Sequence, residues 1–127
     1  STQRNLSMEG RIQARNISKF FKENKIKIET VLSSEWCRCK ETAEIAFNEF
    51  STKNFLNSFY SLKYAKNKIK QVEQLNDYIR QFKSDKNLVL VTHYVLISEV
   101  LNYASSSGEI VVSDKNFNMI GSIEINY

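Results

Sequence analysis

Apolar residues recur at helical spacing from Met8 through Ile12, Ile17, Phe20 and Phe21. Ser7 stands where an N-cap belongs, and Asn24 with the lysines after it makes a stop. The run Thr30–Val31–Leu32–Ser33 is short and β-prone, and the polar pair Ser33–Ser34 ends it. A second helix is predicted from Glu35 or Trp36, with Trp36, Cys39, Ala43, Ala46, Phe47 and Phe50 on its apolar side. Between Leu56 and Leu62 the pattern permits a short strand or an irregular loop. The clearest periodicity, Ile69, Val72, Leu75, Ile79 and Phe82, predicts a third helix over about Ala65 to Lys83.

Asn87–Leu88–Val89–Leu90–Val91 is apolar without alternation, as expected of a parallel strand covered on both faces. It runs into Thr92–His93 and then a fourth helix carrying Val95, Leu96, Val100 and Leu101. After the turn-rich Ser105 to Gly108, Glu109 to Ser113 and Met119 to Asn126 read as two strands joined by the polar loop Asp114 to Asn118. Helices and strands alternate, then a hairpin closes the chain. The expected class is α/β: a three-layer α/β/α arrangement with a mostly parallel sheet and an antiparallel C-terminal hairpin at its edge.

At 127 residues the chain fits a single domain, 1–127, and no repeat or linker interrupts it. Hydrophobic residues at 42% and charged ones at 25% fit an ordinary globular protein. The longest apolar run, Leu88 to Val91, is strand-sized, so no membrane partner is expected, and there is no signal-peptide pattern. The net charge of +4 is scattered along the chain rather than clustered with aromatics, which argues against a nucleic-acid partner. Cys37 and Cys39 flank Arg38 too closely to bridge each other on a helix, and with His93 they match no familiar zinc spacing. Free thiols in a reducing, cytoplasmic setting are expected, with no metal and no cofactor.

In open parallel sheets, ligands gather at the carboxyl ends of the strands. Here those ends carry Ser33–Ser34 followed by Arg38 in a first helical turn, and Thr92–His93 entering the next helix. A guanidinium is a planar fork matched to phosphate oxygens, and an imidazole beside it can donate to the same anion or move a proton. Taken singly, the bland readings are a structural histidine, a solvated arginine and capping serines. Placed together, the residues describe half of a phosphate pocket.

Three segments strengthen that reading. Arg4 to Ala14, containing Leu6–Ser7, Gly10 and Gln13–Ala14, resembles the LSxxGxxQA segment of the histidine phosphatases, the phosphoglycerate-mutase-like superfamily. Val31 to Ala43, containing Ser33–Ser34, Arg38 and Thr42–Ala43, resembles their SSPxxRxxxTA segment, and Leu90 to Val95 resembles the strand presenting their second histidine. All three stand in the family's order. The resemblance implies phosphomonoester hydrolysis through a phosphohistidine, with Arg38 and His93 as catalytic, phosphate-binding residues and Arg4 near the rim.

The chain also departs from the pattern. The family's nucleophile sits in an RHG-type motif on a first strand that precedes the segment matched by Arg4 to Ala14, yet His93 is the sole histidine. The first strand and nucleophile are therefore expected upstream, making this an N-terminally incomplete domain and inactive by itself. Glu35 stands in place of the family's Pro, and no Asp or Glu between Phe50 and Tyr64 offers a proton-donating acid. Whether the chain is an enzyme is left open: the alternative is a degenerate anion-binding or oligomerisation module. The expected partner is a phosphorylated small molecule or a phosphoprotein, with a homodimer through an exposed sheet edge as a further expectation.

Overall fold

The structure, a computed structural model, describes residues 5–59 and 65–127. Its elements are α1 (Met8–Glu23), β1 (Ile28–Ser33), α2 (Cys37–Phe47), β2 (Ser51–Thr52), a 3₁₀ turn (Asn54–Leu56), α3 (Lys68–Gln81), β3 (Asn87–Val91), α4 (Tyr94–Leu101), β4 (Ile110–Ser113) and β5 (Met119–Ile123). This is the expected mixed α/β architecture. One strand has no counterpart in the sequence pattern: β2 is two residues long, too short to leave a periodic signature.

The three parallel strands run in the order β2-β1-β3. Thr30 to Ser33 pair with Leu88 to Val91, so that Ser33 lies opposite Val91 and both strands stop level with each other. That register puts the residues following each strand side by side, and it is the fact on which the site depends. α1 and α2 pack together, and α2 also rests on β1 and β3. Ala43 in α2 is 0% exposed and Ala14 in α1 is 1% exposed, so the two helices approach over small side chains.

The main core lies where Leu32 meets Phe55, Leu56, Phe59, Leu75, Ile79 and Leu96, with Val72, Leu88, Leu90 and Val95 packed around it. β1 thus contributes Leu32, the 3₁₀ turn two side chains, α3 its Leu75–Ile79 stripe and α4 its Leu96. The periodicity overstates burial at helix ends: Met8 and Ile69 are 77% and 72% exposed, because each stands in the first turn, beyond the reach of the layer below. The ambiguous stretch after Phe50 resolves in part as the 3₁₀ turn, which buries Phe55 and Leu56. Residues 60–64 lie outside the described residues.

The hairpin β4–β5 is a sheet of its own. The expected antiparallel hairpin is present, and among the described residues no ladder links it to β3. Side chains fasten it instead. Gln13 of α1 donates to the carbonyls of Ser107 (3.0 Å) and Ile125 (2.8 Å), Asn16 donates to that of Asn126, and Lys115 donates to that of Phe82. Phe117 from the hairpin loop packs on the core. Gly108 stands at φ +77°, and a Cβ there would meet the Gln13 amide at 2.0 Å. Only glycine tolerates both the left-handed backbone and that approach.

Candidate functional site

The site forms where β1 and β3 end. Ser34 continues the sheet by donating its backbone N–H to Val91 O at 2.9 Å, which brings Ser34 against the Thr92–His93 segment. Ser33 and Ser34 are both fully buried. His93 is the N-terminal boundary residue of α4 and keeps extended backbone, so its ring projects from the strand end rather than from the helix. Its Nε2 lies 2.9 Å from Ser34 Oγ and 3.6 Å from Cys39 Sγ. The indole of Trp36 meets the imidazole edge-on, with centroids 4.9 Å apart.

Arg38 occupies the first turn of α2 and is exposed to solvent. It makes no ion pair among the described residues. Its charge still reaches His93: burial pushes the imidazole down to about 4, and the neighbouring guanidinium adds to the depression. His93 is therefore neutral near pH 7. Cys39 is affected mainly by burial, which pushes its thiol up to about 11 against smaller opposing effects of Ser34 and Arg38. Cys39 donates weakly to Thr92 O at 3.6 Å and behaves as a packed apolar group. Neither cysteine is in a disulfide, and the described residues hold no cluster able to ligate a metal.

A residue not singled out from sequence organises the rim. Asn57 Oδ1 accepts from Ser34 Oγ at 3.0 Å and from the backbone N–H of Glu35 at 2.8 Å, while its Nδ2 donates to Glu35 Oε1 at 3.0 Å. Gln71 of α3 holds the same loop, donating to the carbonyls of Phe55 and Asn57, and Thr92 Oγ1 donates to Leu56 O at 2.6 Å. Nothing in an Asn57–Ser58 dipeptide among aromatics distinguishes Asn57 as a site residue; its role arises only when the turn folds back over the β1 end. The Glu35 carboxylate, expected to oppose an anion, is tied to Asn57.

The three sequence segments acquire physical roles here. Ser7 caps α1 by accepting from Gly10 N–H, Gln13 fastens the hairpin, and Ala14 packs against α2. In the second segment, Ser33 and Ser34 fill the strand end, Thr42 Oγ1 donates to Arg38 O, and Ala43 is fully buried. The third segment supplies Thr92 and His93. Arg38 stands near enough to His93 for its charge to be felt at the imidazole. Arg4 lies outside the described residues.

No family model matches the sequence, and no curated protein does. Solved structures do. TTHB049 from Thermus thermophilus superposes with a TM-score of 0.70 at 17% identity, covering 98% of this chain and 87% of its own. A phosphoglycerate mutase from the same organism gives 0.66 at 17% identity over the same shares. The Rv3214 protein of Mycobacterium tuberculosis gives 0.58 at 14% identity, covering 82% of this chain and 70% of its own. The fold is similar to that of a phosphoglycerate mutase. At these identities the likeness speaks for architecture alone. Among the described residues, no helix is long and apolar enough to cross a membrane.

Proposed function

We propose that this chain is a histidine phosphatase domain in which Arg38 and His93 hold a phosphoryl group, and that its parent protein hydrolyses a phosphomonoester through a phosphohistidine. The observation that carries the reading is the convergence of the β1 and β3 ends, with the Arg38 charge felt at His93. Arg38 supplies the bidentate fork and His93 the second contact, in a site half-sheltered by Trp36. The mutase-like fold supports the same reading.

His93 is the sole histidine and takes the phosphate-holding role, so no residue of this chain is assigned as the attacking nucleophile. Among the described residues β3 is an outer strand of the parallel sheet, and its outward backbone groups are open to pairing. The chain alone is then a phosphate binder without turnover. A phosphorylated small molecule or a phosphoprotein is the substrate class.

The test is hydrolysis of an aryl phosphate together with phosphate binding followed by ³¹P NMR. Expected are background turnover and phosphate binding that weakens at least roughly tenfold in Arg38→Ala, as for loss of one charge-assisted contact. Robust hydrolysis that disappears on changing His93 would overturn the role assigned to His93; unchanged binding in Arg38→Ala would overturn the site. A second reading, a non-catalytic oligomerisation module, draws on the same outer edge of β3. It requires a dimer by light scattering.

A further inference from the structure

We infer that Asn57 is a positioning residue that fixes, through Ser34, which nitrogen of His93 carries the proton, leaving Nδ1 as its basic atom. The argument is a count of protons. Asn57 could in principle be turned either way, but its two neighbours decide. The atom facing Glu35 N–H at 2.8 Å must accept, and the atom facing Glu35 Oε1 at 3.0 Å must donate. Oδ1 is therefore the atom 3.0 Å from Ser34 Oγ.

Ser34 has one hydroxyl proton. Directed anywhere but at Asn57, it would leave two oxygen lone pairs facing each other at 3.0 Å within a buried site. With that proton spent, Ser34 Oγ can only accept. It accepts from Trp36 N–H at 3.1 Å, and the remaining lone pair faces His93 Nε2 at 2.9 Å. Nε2 must then be the donor. The sulfur 3.6 Å away does not change this, since the Cys39 thiol proton is directed at Thr92 O. Neutral His93 is accordingly the Nε2–H tautomer, with its lone pair on Nδ1.

This inference rests on the phosphate-site reading for its use, though not for its geometry. In the resting arrangement the only N–H of the imidazole is committed to Ser34. The ring offers an anion a donor only by taking a second proton at Nδ1 or by leaving Ser34. Asn57, whose side chain is hydrogen-bonded to Ser34 and Glu35, thus decides whether His93 works as a donor or as a base.

A single histidine makes the test direct, because the imidazole ¹⁵N signals need no assignment. At pH 7 the wild-type chain is expected to show Nε2 at the protonated shift and Nδ1 at the lone-pair shift. In Asn57→Leu the Ser34 hydroxyl is released to donate to Nε2, and the two shifts should move toward each other or exchange places. Asn57→Asp keeps an acceptor for Ser34 and should restore the wild-type pattern. Ser34→Ala, which removes the acceptor facing Nε2, should also loosen the preference. A wild-type Nδ1–H tautomer, or a folded Asn57→Leu with the wild-type pattern, overturns the inference. Inorganic phosphate forms a separate arm: failure of phosphate to bind sinks the phosphate-site reading and leaves the tautomer result standing. Intact phosphate binding without tautomer control by Asn57 sinks this inference alone.

Discussion

Ser34 Oγ and His93 Nε2 stand 2.9 Å apart across the seam between two parallel strands, although 59 residues separate them in sequence. The contact exists because β1 and β3 end in register, Ser33 opposite Val91. A slip of one residue would turn Ser34 or His93 to the opposite face and dissolve the site. The pairing of the strands and the chemistry at their ends are thus one constraint.

The buried, depressed imidazole makes stability depend on pH. His93 falls from 6.5 to about 4 on folding, so below pH 6.5 the unfolded chain takes up a proton that the folded one refuses. Its contribution is complete above pH 6.5 and is lost as pH drops from there toward 4. The full loss is roughly 3 kcal/mol at most, less whatever partial solvent access relieves. The carboxylates of Glu109 and Asp114 are depressed below 4.5 and 3.8 and act only at lower pH. Urea midpoints measured from pH 7.5 to 4.5 should fall for the wild type and stay flatter for His93→Gln. Parallel curves would show that His93 does not drive the dependence.

Much of this was legible beforehand, for identifiable reasons. Leu75 and Ile79 are spaced by the helical period and are buried. Leu88 to Val91, expected to be covered on both faces, form β3 but stay half-buried, because β3 is an outer strand of its sheet among the described residues. Arg38 and His93 follow strands, and parallel topology brings strand ends together. Asn57 was illegible because its function is a matter of where an irregular turn folds back, which no period encodes. The hairpin was legible but its attachment was not, since that depends on Gln13 reaching Ile125 O across 112 positions.

The core should answer unevenly to truncation. Leu56 is fully buried among Leu32, Phe55 and Leu96, so Leu56→Ala should cost about 2–5 kcal/mol. Ile69 shows the same helical spacing but is 72% exposed, and Ile69→Ala should change stability by less than about 0.5 kcal/mol. Denaturant melts of the two variants check this; equal losses would mean that α3 packs more deeply at its start than the structure places it.

Gly108→Ala should destabilise by more than a simple cap or turn substitution. The left-handed backbone costs about 1 kcal/mol for alanine, and the new Cβ also displaces the Gln13 amide from Ser107 O and Ile125 O. The partner variant Gln13→Ala removes those hydrogen bonds and makes room, so the double variant should lose less than the sum of the two single losses. Additivity within experimental error would show that the two sites are independent.

The two cysteines should differ sharply in reactivity. Cys39 is buried, with its thiol pushed up to about 11, so at pH 8 roughly one molecule in a thousand carries the thiolate that alkylation requires. Cys37 is partly exposed on the same turn of α2. Iodoacetamide should therefore modify Cys37 first, as read by mass spectrometry of the alkylated chain. Cys39 should react only when the β1–α2 junction opens, at a rate that denaturant raises before Cys37 changes by much. Since Cys39 Sγ lies 3.6 Å from His93 Nε2, its modification should also shift the imidazole ¹⁵N signals. Equal alkylation of both thiols in native conditions would mean that this corner of the site opens freely, and the buried position of Cys39 would have to be abandoned.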